Sequence, residues 1–271
     1  IAGERRFRSV DAGQLHTCAL ASDGLAYCWG ANTGGQIGAG TTPTDTCPAA
    51  QPCRLTPVEV SGARAFRTIA SRHRHTCALT EAGEAWCWGE GGFGALGNGT
   101  TTRSHVPVPV SGGHVFAAID VGFDVSCGVT TAGVGYCWGS GSNGKLGNGS
   151  NSNRSTPAPI SGGLTVSSIS VGGSHACALT AAGEAWCWGV GTFGRLGHGQ
   201  TTGRLTPVAV SGGHVFASIS AGFEHTCAVT TDGRGYCWGA NMNGKLGDGT
   251  QAARSVPTPV TGDLTFASIS A

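Results

Sequence analysis

The sequence predicts an all-β protein, a β-propeller of four-stranded antiparallel blades, from three observations. Trp-Gly recurs at 29–30, 88–89, 138–139, 188–189 and 238–239, and an apolar-Gly pair follows eight residues after each Trp, from Ile37-Gly38 to Leu246-Gly247. Pro57, Pro107, Pro157, Pro207 and Pro257 stand fifty residues apart. Between these marks lie short apolar runs separated by Gly-rich turns, with no capped helical stretch. A repeat of this length with room for four strands is the signature of propeller blades, whereas stacked solenoids usually repeat over fewer residues.

Five units follow, roughly 7–65, 66–115, 116–165, 166–215 and 216–265, in one domain spanning 1–271. The first strand of a unit is Phe66-x-x-Ile69 and its copies at Phe7, Phe116, Val166, Phe216 and Phe266. The second is the His-Thr-Cys-Ala-Leu type of segment starting at His16, His75, His175 and His225, with Val125 in the third unit. The third is Ala-Trp-Cys-Trp-Gly or its Tyr form, and the fourth is a Pro-x-x-Val stretch such as the one ending at Val60. Proline is allowed there because it sits at a strand start or an outer edge. The interval from Trp to Pro is 28 residues in the first unit and 19 in the others, which places an insertion between Gly38 and Pro57, read as a loop over 41–53. Residues 76–88 and 176–188 differ at two of thirteen positions, so the chain reads as a duplicated pair of units. Six copies of the first strand stand against five cysteine hairpins, so a closed five-bladed ring would leave one end strand redundant. Ile1 is not an initiator and Met242 is the only methionine, so the sequence is expected to be a processed or trimmed piece of something longer.

Five cysteine pairs share one spacing: Cys18/Cys28, Cys77/Cys87, Cys127/Cys137, Cys177/Cys187 and Cys227/Cys237. Folded as a hairpin, the first pair is centred on Asp23, so a three-residue loop of Ser22, Asp23 and Gly24 sets Cys18 opposite Cys28. Such loops favour a left-handed third residue, and that position is Gly24, Gly83, Gly133, Gly183 and Gly233. Facing residues of a non-hydrogen-bonded pair lie ~4.5 Å apart at Cα, within disulfide range. Zinc would need two close Cys-x-x-Cys knuckles, and one hairpin offers only two ligands, so no metal is expected. Cys47 and Cys53 close a sixth ring inside the insertion. Six disulfides imply an oxidising, extracytoplasmic compartment: periplasm, cell surface or medium. Each closed loop of about ten residues contributes roughly 2–3 kcal/mol.

Composition narrows the partners. Gly supplies 48 of 271 residues, charged residues make up 11%, and the net charge is +1. Only Lys145 and Lys245 among the sixteen Lys and Arg are lysines, and no basic stripe is visible, so neither nucleic acid nor an anionic membrane surface is an expected partner. No apolar run reaches the ~18 residues a spanning helix needs. Recurrent aromatic and aliphatic residues argue against disorder, and the glycines follow no collagen period.

Several motifs resemble sites without their context. GEGGFG at 89–94, GSGSNG at 139–144 and GVGTFG at 189–194 match a dinucleotide fingerprint, but no helix follows to hold a pyrophosphate, so they read as tight loops. The repeated histidines belong to separate blades and are expected to fix turns by hydrogen bonding. His73 and His75 flank Arg74, while Arg195 and His198 share a loop. No Ser-His-acid set or local carboxylate pair stands out, so neither a catalytic residue nor a cofactor is assigned. Asn98, Asn148 and Asn153 head glycosylation sequons in form. The five repeated Trp read as inter-blade packing, with Trp86 and Trp186 at a second packing position.

The composite pattern, best seen in DAGQLHTCALASDGLAYCWGANTGGQIGAGT at 11–41, resembles the regulator-of-chromosome-condensation (RCC1) repeat in a Cys-rich variety like that of many bacterial exported proteins. The resemblance covers the whole chain and implies a propeller, usually seven-bladed. Functions in that family run from nucleotide exchange on a small nuclear GTPase to inhibition of β-lactamases, both through protein contact by blade-top loops. No segment here matches an exchange wedge, and disulfides exclude a nuclear setting. The expected function is therefore a non-enzymatic, exported, disulfide-stabilised protein-binding scaffold, an accessory subunit of a larger assembly. Its expected contact element is the inserted loop, at Thr46, Pro48, Gln51 and Pro52. The alternative is a lectin with one site per blade built from loop residues such as Asn32, Asn143 and Asn241.

Overall fold

The structure, a computed structural model, describes residues 6–40, 45–47, 51–262 and 264–271. The first repeat holds β1 (Phe7–Ala12), β2 (His16–Ala21), β3 (Ala26–Ala31), β4 (Asp45–Cys47) and β5 (Gln51–Glu59). The second holds β6 (Phe66–Arg72), β7 (His75–Thr80), β8 (Ala85–Gly89) and β9 (Ser104–Pro109), and the third β10 (Phe116–Val121), β11 (Val125–Thr130), β12 (Gly135–Gly139) and β13 (Arg154–Pro159). The fourth holds β14 (Val166–Val171), β15 (His175–Thr180), β16 (Ala185–Gly189) and β17 (Arg204–Ala209), and the fifth β18 (Phe216–Ala221), β19 (His225–Thr230), β20 (Gly235–Gly239) and β21 (Arg254–Pro259). Each repeat makes one sheet with its strands in chain order, except that the first adds β4 outside β5. The chain forms two compact units, residues 1–131, 138–140 and 153–157 on one side of the division and 132–137, 141–152 and 158–271 on the other.

The hairpin register is the one the cysteine spacing dictates. Cys18 faces Cys28, Cys77 faces Cys87, Cys177 faces Cys187 and Cys227 faces Cys237, each pair bonded with Cα atoms 4.1 Å apart. Cys127 and Cys137 are disulfide-bonded as well. The turn glycines are left-handed, at φ +85° for Gly24 and +82° for Gly83, as a three-residue hairpin requires.

Two elements differ from expectation. The insertion is not a plain loop: β4 pairs with Gln51–Cys53, and these residues lengthen the fourth strand to nine. The Cys47–Cys53 disulfide closes this small hairpin, Asp45 Oδ2 accepts from Leu55 N (3.2 Å), and Asn32 N donates to the Pro52 carbonyl (2.9 Å). Backbone groups left over by the insertion thus find ladder partners, which a free loop would not supply. The sixth copy of the first strand packs Ile269 and Ala271 against Cys227, Cys237 and Leu246 but pairs with no described strand.

Within each unit, neighbouring sheets meet along a repeated seam. The cystine side of one sheet faces the Trp side of the next: Cys18, Leu20, Cys28 and Ile37 pack against Phe66, Ala78 and Trp88. Leu179 and Ala185 meet Phe216, Ala228 and Trp238 in the same way. At the centre of the seam a backbone carbonyl, just before the apolar-Gly pair, takes two donors from the next sheet. Gln36 O accepts from Trp88 Nε1 (3.0 Å) and Thr76 Oγ1 (3.3 Å), and Ala95 O from Trp138 Nε1 (3.0 Å) and Ser126 Oγ (2.9 Å). Lys145 O accepts from Trp188 Nε1 (3.0 Å) where Ala176 replaces the hydroxyl, and Arg195 O from Thr226 Oγ1 (2.9 Å).

The repeated histidines complete the seam. His16 Nε2 lies 2.9 Å from Thr76 Oγ1, His75 Nε2 2.9 Å from Ser126 Oγ, and His175 Nε2 2.7 Å from Thr226 Oγ1. Each hydroxyl already donates to the carbonyl, so Nε2 must carry the proton and donate. The histidines therefore tie one sheet to the next rather than fixing their own turns. Burial holds the first two neutral: it pushes His16 down to about 4 and His75 down to about 3, with neighbouring histidines adding to both shifts.

Two predictions follow from this seam. A Cβ on Gly97 would stand 2.6 Å from Trp138 Nε1 at a φ of +69°, whereas Gly113, at φ +63°, has open space around it. Gly113→Ala is expected to cost about 1 kcal/mol for backbone strain alone, and Gly97→Ala about 2–4 kcal/mol, read from the shift in urea midpoint. For acidification, the unfolded histidines protonate near 6.5 while the folded ones resist, so stability is complete above about pH 6.5 and falls towards pH 4. The expected slope is about 1.4 kcal/mol per pH unit for each buried histidine. His75→Gln, which keeps a donor but does not titrate, should flatten the pH dependence of the thermal midpoint.

Candidate functional site

In every repeat, two connections come together at one edge of the sheet: the turn between the first two strands and the long loop after Trp-Gly. Ala31 N donates to Leu15 O (2.7 Å), Glu90 N to Arg74 O (2.9 Å), Ser140 N to Asp124 O (2.8 Å), Val190 N to Ser174 O (3.0 Å) and Ala240 N to Glu224 O (2.9 Å). The backbone is the same each time, but the side chains at this loop edge are not.

The long loop is held tight by short 3₁₀ turns at Gly92–Gly94, Ser142–Gly144, Thr192–Gly194 and Met242–Gly244. The dinucleotide-like glycines serve this turn, and no α-helix follows them. The residue at each tip is left-handed: Phe93 at φ +59°, Asn143 at +57°, Phe193 at +63° and Asn243 at +66°. Asparagine tolerates that conformation, whereas a bulky Phe is an outlier there. Both Phe rings are nevertheless presented to solvent, 50% exposed at Phe93 and 44% at Phe193. The loop also reaches the next repeat, where Gly99 N donates to Ser155 O (2.8 Å) and Gly199 N to Ser255 O (2.9 Å).

Charge at the loop edge differs between the units. Around Phe93, Arg74, Arg103 and Arg154 are exposed, and Arg103 Nη1 donates to Thr33 O (3.1 Å). Nearby, the His73 ring stacks on Phe123 with centroids 3.5 Å apart and its Nδ1 lies 3.4 Å from Asp124. Burial lowers the pKa of His73, and Asp124 works against that shift. Beneath Phe193, Arg195 is buried and spent within the chain, donating to Thr192 O (3.0 Å) and Thr192 Oγ1 (2.8 Å) of its own loop and to Phe223 O (3.3 Å) in the turn of the next repeat, with Glu224 at 3.7 Å. Arg254 is paired with Asp248 at 2.7 Å, which holds that carboxyl below the usual range. His198 in the same loop is lowered by burial and by Arg204.

The expected contact element is only partly visible. Thr46 lies in β4 opposite Pro52, Gln51 and Pro52 are exposed on β5, and Pro48 lies outside the described residues. The asparagines offered for sugar binding do not form one set. Asn32 is 4% exposed and its Oδ1 accepts from Ile37 N (3.1 Å). Asn241 is 1% exposed and serves Leu246 N, Asp248 and the carbonyls of Thr250 and Ala252. Asn143 alone is exposed, at a loop tip. The sequon asparagines Asn98 and Asn148 accept from Thr100 N and Ser150 N (both 3.1 Å), an arrangement that shapes the loop.

The opposite edge of the sheets carries open cavities that repeat: about 390 Å³ lined by Glu84, Trp86 and His114, and about 350 Å³ lined by Glu184, Trp186 and His214. Among the described residues, no group of three or more His, Cys, Asp or Glu could hold a metal ion, and no helix is long and apolar enough to cross a membrane. The Phe tips were the residues that sequence reasoning missed. Their signal was available: Phe93 and Phe193 stand where Asn143 and Asn243, natural left-handed residues, stand in other repeats.

Comparison with known proteins agrees with this geometry. Human HERC2, an E3 ubiquitin-protein ligase, is 35% identical over 96 residues, which are 35% of this chain and 2% of that protein. The ultraviolet-B receptor UVR8 of Arabidopsis thaliana is 37% identical over 90 residues, 33% of this chain and 19% of the receptor. The chain thus matches only a small part of each curated relative. Among solved structures, human WBSCR16 superposes with a TM-score of 0.84 at 23% identity, covering 96% of this chain and 68% of that one. Prp20p of Saccharomyces cerevisiae does so with 0.80 at 21% identity, covering 96% and 64%. These two likenesses speak for the propeller fold. With the RCC1-like domain matched over residues 2–271, this chain belongs to the RCC1-like family.

Proposed function

We propose that the protein is a non-enzymatic protein-binding module that works outside the cytoplasm, as an accessory subunit of a larger assembly. The observation that carries this reading is the exposure of strained aromatic tips on an otherwise interlocked scaffold. Phe93 and Phe193 sit in a conformation that Asn would adopt at less cost, and neither ring is buried in return. Strain kept at rings that stay half exposed, although Phe193 also lies 5.8 Å from the Arg195 guanidinium, points to use by something outside the chain. Proteins of this fold bind other proteins, as the yeast Prp20p structure reports for Gsp1p and histones. The inserted segment, with Thr46, Gln51 and Pro52 among its described residues, is a second contact element in this reading, because it breaks the repeat symmetry.

A sugar-binding reading has one observation in its favour. The cavities lined by Trp86 and Trp186 recur with a carboxylate and an imidazole each, as a lectin with equivalent sites would need. A glycan array is expected to show no binding, and a positive array lost on Trp86→Ala and Trp186→Ala would reverse the order of the two readings.

Two measurements test the main proposal. Capture from the native source with the purified chain as bait should co-purify a partner at fixed stoichiometry. Cys47→Ser/Cys53→Ser should weaken that partner by about tenfold if the hairpin touches it. For location, the twelve disulfide-bonded cysteines predict that the native protein gains about 12 Da on full reduction. Free thiols in protein taken from its source would contradict an oxidising compartment.

A further inference from the structure

Around Phe93 the loop edge combines three features found together nowhere else among the described tips. The ring is half exposed at φ +59°. The loop carrying it opens beside Arg74, whose carbonyl takes Glu90 N (2.9 Å), and returns along Arg103, whose backbone N would lie 3.1 Å from a Cβ on Gly91. On its far side the loop presses on Arg154 and Ser155 of the next repeat, so closely that Gly94 leaves no room for a side chain. Arg74, Arg103 and Arg154 are all exposed, and none is paired with a carboxylate among the described residues. Glu90 is the one acid in this loop, and it is half-buried.

The corresponding tip in the fourth repeat presents less of this charge, and its Arg204 is half-buried and turned onto Gln200 and Thr202 of its own loop. There Arg195 is buried and spent within the chain, and Arg254 is neutralised by Asp248. The Phe93 surface thus sets an exposed aromatic tip on a loop flanked by three exposed arginines that have no carboxylate partner among the described residues, Arg103 being held only by the Thr33 carbonyl. Such groups favour carboxylates, through bidentate hydrogen bonds, and a ring at the centre favours an apolar side chain.

We propose that the Phe93 tip, with Arg74, Arg103 and Arg154, is a docking surface for an acidic segment of a partner protein that carries an apolar residue within its run of carboxylates. The inference rests on the protein-binding reading above and names the chemistry of the partner's contact segment. A protein segment fits better than nucleic acid, because three arginines on a chain of net charge +1 make a spot rather than a track along a phosphate backbone.

The test uses variants already present in other repeats. Phe93→Asn copies Asn143, Arg103→Asn copies Asn153, and Arg154→Ser copies Ser104, so the triple variant should fold and melt no lower than wild type. The probe is a fluorescein-labelled peptide of about twelve residues, Glu and Asp around a central Leu, read by anisotropy. Binding should weaken by about tenfold or more in about 0.5 M NaCl and in the triple variant, and a Gln/Asn peptide of the same length should not bind. Equal binding by the neutral peptide, unchanged binding by the triple variant, or preference for a single-stranded oligonucleotide or phosphatidylserine vesicles would each overturn the proposal. A partner captured from the native source and held by the triple variant as tightly as by wild type would overturn this surface while leaving the protein-binding reading intact. If wild type binds neither the peptide nor a native protein, both readings fall.

Discussion

One carbonyl per seam carries the architecture. The oxygen of Gln36, and its counterparts at Ala95, Lys145 and Arg195, lies between sheets and is reached by an indole N–H, a hydroxyl, or both. A buried carbonyl left without donors would be costly, and two donors from the neighbouring sheet instead make it a fixed point. The apolar residue that follows drives into the seam, and the glycine after it lets the Trp ring of the next sheet lie directly on the backbone. The eight-residue spacing from Trp to the apolar residue of the apolar-Gly pair is what brings each loop back to the seam, so the motif and the seam have one cause.

The disulfides and the glycines divide the remaining work. Each cystine spans a hairpin whose strands already pair, so it restricts the unfolded chain more than it shapes the folded one. The glycines allow left-handed hairpin corners and close approach between loops and strands. Low charge follows from the same arrangement: where sheets meet within a unit their facing sides are buried, and few positions are left there where a charge can stay hydrated. The exceptions collect at the loop edge, where the turn before the second strand and the loop after the third meet.

Much of this was legible from residue order. The strand register could be counted because the hairpin is local: eleven residues from one cysteine to the next, with a glycine at a fixed place, allow one pairing. The seam could not be counted. That His16 reaches Thr76, sixty residues away, depends on which sheet lies beside which, so a turn-fixing role was the natural expectation and an inter-sheet one was found. The inserted segment was equally opaque. A disulfide between Cys47 and Cys53 is compatible with any small ring, and only the pairing of β4 with β5, which β3 continues at Cys53, turned part of it into strand.

The candidate site shows the same division. Sequence by itself determined the repeat, the blade, the cystine pairs and the absence of a basic track, since all of these rest on spacing or composition. Tertiary structure decided which polar side chains were spent internally and which were left over. Arg195 and Arg154 look alike in the sequence, one in a loop and one at a strand start. In the fold, Arg195 is enclosed by carbonyls and Glu224, while Arg154 is exposed to solvent where its backbone meets the Phe93 loop at Gly94. A side chain's availability depends on what the folded chain places around it, and that is a property of distances between repeats rather than of order along them.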